Sequence, residues 1–132
     1  MSEKTCIVKN IRKSLSSGAD IEVRMERVGK DMHLLLTGGT DPHIGCVVMS
    51  VPRLSLSGDR TASATSSVIN VIGHKDEEIC RVLAEAVCRA YQCLVVCVGG
   101  FHEDHLQEDQ ITEIKRVVAE ELIPQLTNLY TA

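Results

Sequence analysis

Four of the five histidines in this 132-residue chain lie in three short polar segments that could bind an anion, a metal ion or a polar ligand. The segments are residues 41–45, 73–76 and 99–105, and each borders an apolar run. Glycine accompanies every segment, and its missing side chain lets backbone approach a ligand closely. If the protein has a binding site, these three segments are expected to form it.

Two of the segments contain features suited to an anion. Residues 73–76 (Gly-His-Lys-Asp) join a predicted strand to a predicted helix, where free backbone N–H groups and Lys75 would suit a phosphate. Asp76 could instead simply cap the helix. Arg53, which follows Pro52, is the best single candidate for clamping an anion, because a guanidinium is always charged and can bind with two nitrogens. His43 lies between Pro42 and Ile44 in an apolar setting and could equally be a hydrogen-bonded core residue.

The same segments leave a metal-dependent enzyme open. His74 and Asp76, together with His102 and Asp104, make a set of imidazoles and carboxylates that could hold a metal ion. Their spacing matches no established metal signature such as H-E-x-x-H. The sequence has no phosphate-binding loop and no G-x-G-x-x-G pattern. A small metal-dependent hydrolase or lyase therefore remains an alternative.

Composition indicates a soluble globular protein. Apolar residues make up 44% of the chain and charged residues 24%, and the net charge of −4 argues against a nucleic-acid or anionic-membrane partner. The first residues lack the pattern of a secretory signal, so a cytoplasmic location is expected. The cysteines form no C-x-x-C pair and suggest small core residues in a reducing compartment. With one Phe, two Tyr and no Trp, a planar ligand would have to lie mostly on aliphatic side chains and backbone.

Periodicity predicts one α+β domain over residues 19–132, after a poorly patterned N-terminal segment of residues 1–18. Apolar and polar residues alternate from Ile21 to Glu26, and a second strand with Leu34 to Leu36 should complete a hairpin. The predicted order is β-β-β-β-α-β-α, giving a mixed, largely antiparallel sheet with two helices packed on one face. The remaining elements are strands at 44–51, 62–72 and 93–98, a helix covering 79–90, and a helix capped by Asp109 that Pro124 ends or kinks. Two helices cover one sheet face, so a homo-oligomer is expected to cover the other.

Several short motifs in this order and spacing resemble the LpdD-like family. They are Gly38-Gly39 with Pro42-His43-Ile44-Gly45, then Pro52-Arg53, then Gly73-His74-Lys75-Asp76, and finally the strand ending Gly99-Gly100-Phe101-His102. The resemblance covers about Ile21 to Val118. Members of this family are the small D proteins that accompany UbiD-type gallate and hydroxyarylic-acid decarboxylases, and the family is described as prenylated-flavin chaperones.

The resemblance implies that the protein binds prenylated FMN, or FMN, and passes it to a UbiD-type apo-decarboxylase without catalysing decarboxylation itself. A flavin prenyltransferase would supply the cofactor. A purely structural subunit of the decarboxylase is a further alternative. Loops at one end of the sheet are expected to bring together the cofactor-binding residues, which are Gly39, Pro42, His43, Gly45, Arg53, His74, Lys75, Asp76 and His102.

Overall fold

Six strands form one mixed sheet in the computed structural model, which describes residues 5–54, 62–71 and 76–128. The strands are β1 (Thr5–Ser14), β2 (Asp20–Val28), β3 (Asp31–Gly39), β4 (Cys46–Leu54), β5 (Ala62–Asn70) and β6 (Val95–His102). The helices are α1 (Glu77–Tyr91), α2 (Glu108–Val117) and α3 (Ile123–Leu126), with a π-helical turn at Val118–Leu122. The α+β class and the mixed, mostly antiparallel sheet are as predicted from the sequence.

The order of strands across the sheet is β1-β2-β3-β6-β4-β5. Strands β1, β2 and β3 form an antiparallel meander, and β4 pairs with β5 in the same way. Strand β6 joins the two units, running parallel to β3 and antiparallel to β4. The crossover β5-α1-β6 therefore connects two strands that point the same way but have β4 between them.

The helices pack against one face of the sheet. Alternate residues of β2 and β3, including Val23 and Leu34, are fully buried together with Leu83 of α1 and Leu122 of the π-helical turn. α2, the π-helical turn and α3 follow one another with helical backbone angles at each junction, so they act as one long second helix. Pro124 has no N–H to donate, and the helix reaches it through the wider π turn instead of ending there.

Three boundaries differ from the predictions. Residues 5–14 of the poorly patterned N-terminal segment form β1, which pairs with β2 along most of its length. Strand β4 runs through Pro52, which is tolerated because β6 pairs with β4 only as far as Ser50. Asp109 is not the N-cap of α2, since Gln107 holds that position and forms a capping box with Gln110.

Within the described residues, no helix is long and apolar enough to cross a membrane.

Candidate functional site

The end of the sheet where β3 and β6 finish brings several predicted site residues together. Gly39 of β3 pairs with His102 of β6, and Cys46 at the start of β4 pairs with Gly99. The N–H of Gly45 donates to the Gly99 carbonyl at 2.9 Å, so residues just before β4 arrive at the same place. The start of α1 lies there too, as the contacts of its N-cap residue show.

Asp76, the N-cap residue of α1, is the centre of this arrangement. Its side chain makes no capping bond within its own helix. Instead Oδ1 accepts the Phe101 N–H at 2.9 Å, and Oδ2 lies 3.2 Å from Nε2 of His43. The residue is only 6% exposed. One buried carboxylate therefore ties together the start of α1, the end of β6 and the loop that leads into β4.

Both ring nitrogens of His43 face oxygen atoms that can accept a hydrogen bond. Nδ1 lies 3.1 Å from the carbonyl oxygen of Asp41, and Nε2 lies 3.2 Å from the Asp76 carboxylate. A carbonyl oxygen and an ionised carboxylate are acceptors only. These two contacts hold the His43 ring between the Asp41 carbonyl and the Asp76 carboxylate.

His102 completes the group and is its most exposed member. Its ring lies edge-on to that of His43, with centroids 5.9 Å apart and an angle of 82° between the planes. Nε2 of His102 is 3.2 Å from Oδ1 of Asp104, and 45% of the His102 side chain is exposed, against 19% for His43. We call His43, Asp76 and His102 the His–Asp cluster. It consists of two imidazole rings beside a buried carboxylate.

Three glycines, which have no side chain, provide the space that the His–Asp cluster occupies. A Cβ on Gly45 would overlap the Asp76 carboxylate, and one on Gly100 would lie 2.5 Å from Oδ2 of Asp76 and 2.9 Å from Nε2 of His43. Gly39 has a φ of +82°, and a Cβ there would overlap the carbonyl of His102. Sequence reasoning selected Gly39 and Gly45 but not Gly100, although the Gly-Gly pair at the end of an apolar strand was a signal for it.

Arg53 and Pro42 do not join the cluster. Arg53 lies eight residues beyond Gly45 along β4, about 26 Å away at the usual rise of a strand. Its Nε donates to Thr65 Oγ1 at 2.7 Å and its Nη1 to the Leu54 carbonyl at 3.2 Å. Pro42 is exposed beside His43.

His74 and Lys75 fall outside the described residues, so the structure does not place two of the predicted ligands. The residues considered for a metal ion include His74, so the structure describes only part of that set. Within residues 5–54, 62–71 and 76–128, no group of three or more His, Cys, Asp or Glu side chains is arranged to hold a metal ion.

Two buried cysteines lie directly beneath the cluster. Burial is the main cause that raises the pKa of the Cys46 thiol, and a hydrogen bond with Cys97 is the main cause that raises that of Cys80. The Asp76 carboxylate adds to both shifts because it disfavours a second negative charge nearby. Both thiols are therefore uncharged near neutral pH and serve as small core side chains.

Comparisons with known proteins agree with the resemblance noted from the sequence. Residues 15–130 match the model of a family described as the prenylated flavin chaperone LpdD-like domain. No curated protein matches the chain in sequence. A solved structure from a chaperone complex for yeast 20S proteasome assembly is similar in fold, with 12% sequence identity and a TM-score of 0.54 over 96% of this chain and 98% of that one. At this identity the similarity concerns the fold alone.

Proposed function

Because the chain belongs to the prenylated flavin chaperone LpdD-like family, we propose that it binds prenylated FMN in the cytoplasm and delivers it to a UbiD-type decarboxylase. The cofactor would come from a flavin prenyltransferase. The protein holds the cofactor and does not itself catalyse decarboxylation. The observation that carries this proposal is the His–Asp cluster, which is partly exposed and surrounded by glycines that keep side chains away from it.

The chemistry of the cluster suits a flavin mononucleotide. The flavin ring system carries carbonyl and nitrogen acceptors, and its side chain ends in a phosphate. The more exposed ring of His102 can donate a hydrogen bond to such groups, and His43, held between Asp41 and Asp76, lies edge-on beside it. The glycines at positions 39, 45 and 100 leave room for the close packing of His43, Asp76 and the His102 backbone that forms the cluster. Arg53 lies too far along β4 to reach the same phosphate as the cluster in one chain.

Anaerobic titration with prenylated FMN, followed by visible absorbance, tests the site. His102→Ala should weaken binding about tenfold to a hundredfold, the usual effect of losing a hydrogen bond to a charged group. His33→Ala is a matched control, because His33 binds Glu26 on β2 and takes no part in the cluster. Arg53→Ala should also bind normally. Equal affinity of all four proteins would remove the cluster from the site, and a wild-type protein that binds no flavin would refute the proposed function.

Transfer to a partner is a separate step and needs a separate test. Protein loaded with cofactor should restore the activity of a UbiD-type apo-decarboxylase in the presence of air more completely than an equal amount of free prenylated FMN. Equal restoration by the free cofactor would argue against delivery. The His102→Ala variant, which should hold the cofactor more weakly, is the control for cofactor that dissociates before it reaches the decarboxylase.

We also propose that the open face of the sheet is the interface of a homo-oligomer. Side chains paired across four strands form an apolar row, consisting of Leu35, Val98, Val47 and Ile69. Met49, Val51 and Val96 extend it on the same face, and Ile69 is 73% exposed. We call these seven residues the apolar face. Met49 and Val51 are 39% and 41% exposed, so this face is open to solvent.

The other half of the same sheet face is charged, which favours a second copy of this chain as the partner. Beyond Leu35, strands β2 and β1 present Arg24, Glu22 and Arg12, and Arg12 pairs with Glu22 at 3.5 Å. A two-fold arrangement can place one apolar face on the other and leave both charged halves in water. Each partner contributes roughly 800 Å² to a standard interface, and a polar rim around the apolar face would supply part of that area.

Light scattering tests the interface directly. The wild-type protein should have about twice the mass of the 14.4 kDa chain, and Ile69→Lys should be monomeric because a charge would be buried. Ile7→Lys is the matched control, since Ile7 is 58% exposed on the charged half. A wild-type monomer, or an Ile69→Lys protein that still self-associates, would contradict this interface.

A further inference from the structure

An apolar cavity of about 330 Å³ lies between α1, the end of β6 and α2, next to the His–Asp cluster. Its walls are the side chains of Ile79, Phe101, Leu106, Ile111 and Ile114. Such a cavity is in the size range of small-molecule sites, which are usually mostly apolar with a few polar groups. No residue of the His–Asp cluster lines it, so it is a separate feature of the molecule.

Phe101 connects the cavity to the His–Asp cluster. Its backbone N–H donates to Oδ1 of Asp76, while its ring is one wall of the cavity. Two other residues that line the cavity are close in sequence to residues of the cluster. Ile79 of α1 follows Asp76 by three residues, and Leu106 belongs to the loop that begins directly after His102. A ligand with a polar part at the cluster therefore has an apolar compartment directly beside it.

Two charged residues, Glu78 and Lys115, also line the cavity. Glu78 and Lys115 form an ion pair of 3.3 Å between α1 and α2, and both side chains are more than half exposed. The same two residues also line a smaller neighbouring cavity of about 200 Å³. Apart from this ion pair, the side chains that line the larger cavity offer a ligand only hydrocarbon contacts.

We infer that this cavity receives the isoprenoid-derived part of prenylated FMN and makes the protein prefer that cofactor to FMN. The inference rests on the proposed function, because it concerns the same ligand. The two flavins differ by a five-carbon hydrocarbon unit, which is the chemistry that the cavity walls match. Each methylene removed from water contributes roughly a factor of four in affinity. Even partial burial of five carbons gives a preference of about tenfold or more.

Phe101 provides a direct reporter, because it is the only phenylalanine in the chain. Protein labelled with fluorinated phenylalanine has a single ¹⁹F resonance, from the cavity wall. Saturating prenylated FMN should shift this resonance much more than saturating FMN does. Equal shifts with the two flavins, or no shift with either bound flavin, would overturn the inference.

Affinities of matched variants give an independent test. Ile111 and Val82 are each 40% exposed on a helix, but Ile111 lines the larger cavity and Val82 only the smaller one. Ile111→Glu should lose the preference for prenylated FMN while its affinity for FMN changes less than twofold. Val82→Glu should keep the preference, and thermal unfolding of each variant checks that it is folded.

The outcomes separate the two proposals. Wild-type protein that binds both flavins equally would leave the proposed function intact and refute the role of the cavity. Retention of the preference in Ile111→Glu would refute it as well. Wild-type protein that binds neither flavin would refute the proposed function, and the inference would fall with it.

Discussion

Replacing Asp76 with alanine should cost the protein a large share of its stability, apart from any effect on a ligand. The Phe101 N–H would lose its partner at a buried position, and an unsatisfied buried donor costs about 1–3 kcal/mol. His43 would lose its contact with the carboxylate, and hydrogen bonds to charged groups contribute about 1.5–3 kcal/mol. We therefore expect a loss of about 3–5 kcal/mol in the free energy of unfolding, from a typical total of about 5–15 kcal/mol.

Urea denaturation followed by far-UV circular dichroism measures this loss, and thermal unfolding should show a fall in Tm of about 10–20 °C. Asp76→Asn separates the two contributions. The amide oxygen can still accept the Phe101 N–H, so this variant should lose only about 1–2 kcal/mol, mainly from the contact with His43. Asp104→Ala is the matched control, because Asp104 also faces a histidine but its side chain is 80% exposed.

A loss below about 1 kcal/mol in Asp76→Ala would refute this reasoning, because it would mean that the carboxylate holds neither group firmly. Equal losses in Asp76→Ala and Asp76→Asn would show instead that the negative charge matters and the bond to Phe101 does not. A double-mutant cycle with His43→Ala should give a coupling energy of about 1–2 kcal/mol, as expected for groups in direct contact.

Two further predictions concern titratable groups away from the cluster. The hydroxyl and the backbone N–H of Ser16 both donate to Glu113, and these bonds lower the pKa of Glu113 below its usual 4.5. Because the pKa of Glu113 is lower in the folded than in the unfolded protein, the ionised carboxylate stabilises the folded state. This stabilisation is present above the unfolded pKa of 4.5 and is lost as the pH falls through the lower pKa of the folded state. Glu113→Gln should therefore have a lower free energy of unfolding than the wild type at pH 7. Denaturation at pH 3 should give similar free energies for the two proteins. A difference at pH 3 as large as that at pH 7 would contradict this. Thiol titration at pH 8 should show fast reaction only at Cys6, because the other five cysteines are buried and burial raises the pKa of Cys93, for example, to about 11. Two or more fast thiols would show that the core opens readily.

The sequence predicted the elements whose apolar pattern continues without interruption. Ile21, Val23 and Met25 alternate with charged residues, and all three are fully buried in β2. Strand β1 was not recognised because its register shifts between Ile7 and Lys9. A lysine of β1 also contributes a structural contact, as Lys9 donates to the Gln125 carbonyl at the end of the second helix. Because β1 is an edge strand, a polar side chain such as Lys9 can contact the end of a helix. Apolar residues therefore do not occupy every second position of β1, and the sequence pattern of a strand is lost.

The three polar segments were visible in the sequence, but the pairing between them was not. Residues 43 and 76 are 33 positions apart, and only the placement of β6 between β3 and β4 brings them together. Asp76 was expected to cap its own helix or bind a ligand, and its bonds across the fold had no local signal. Arg53 was assigned to the site because it follows Pro52 and its guanidinium is always charged. A strand of nine residues instead carries it to the opposite end of the sheet.

The central position of β6 has a consequence for how the protein is made. A ribosome releases β1 to β5 and α1 before β6, so the two antiparallel units exist for a time without the strand that joins them. Phe101 and His102 lie at the end of that strand. A nascent chain therefore has no complete His–Asp cluster until about four fifths of it has emerged, and any cofactor would have to wait for the last part of the chain. In this protein, the strand that completes the sheet also completes the His–Asp cluster.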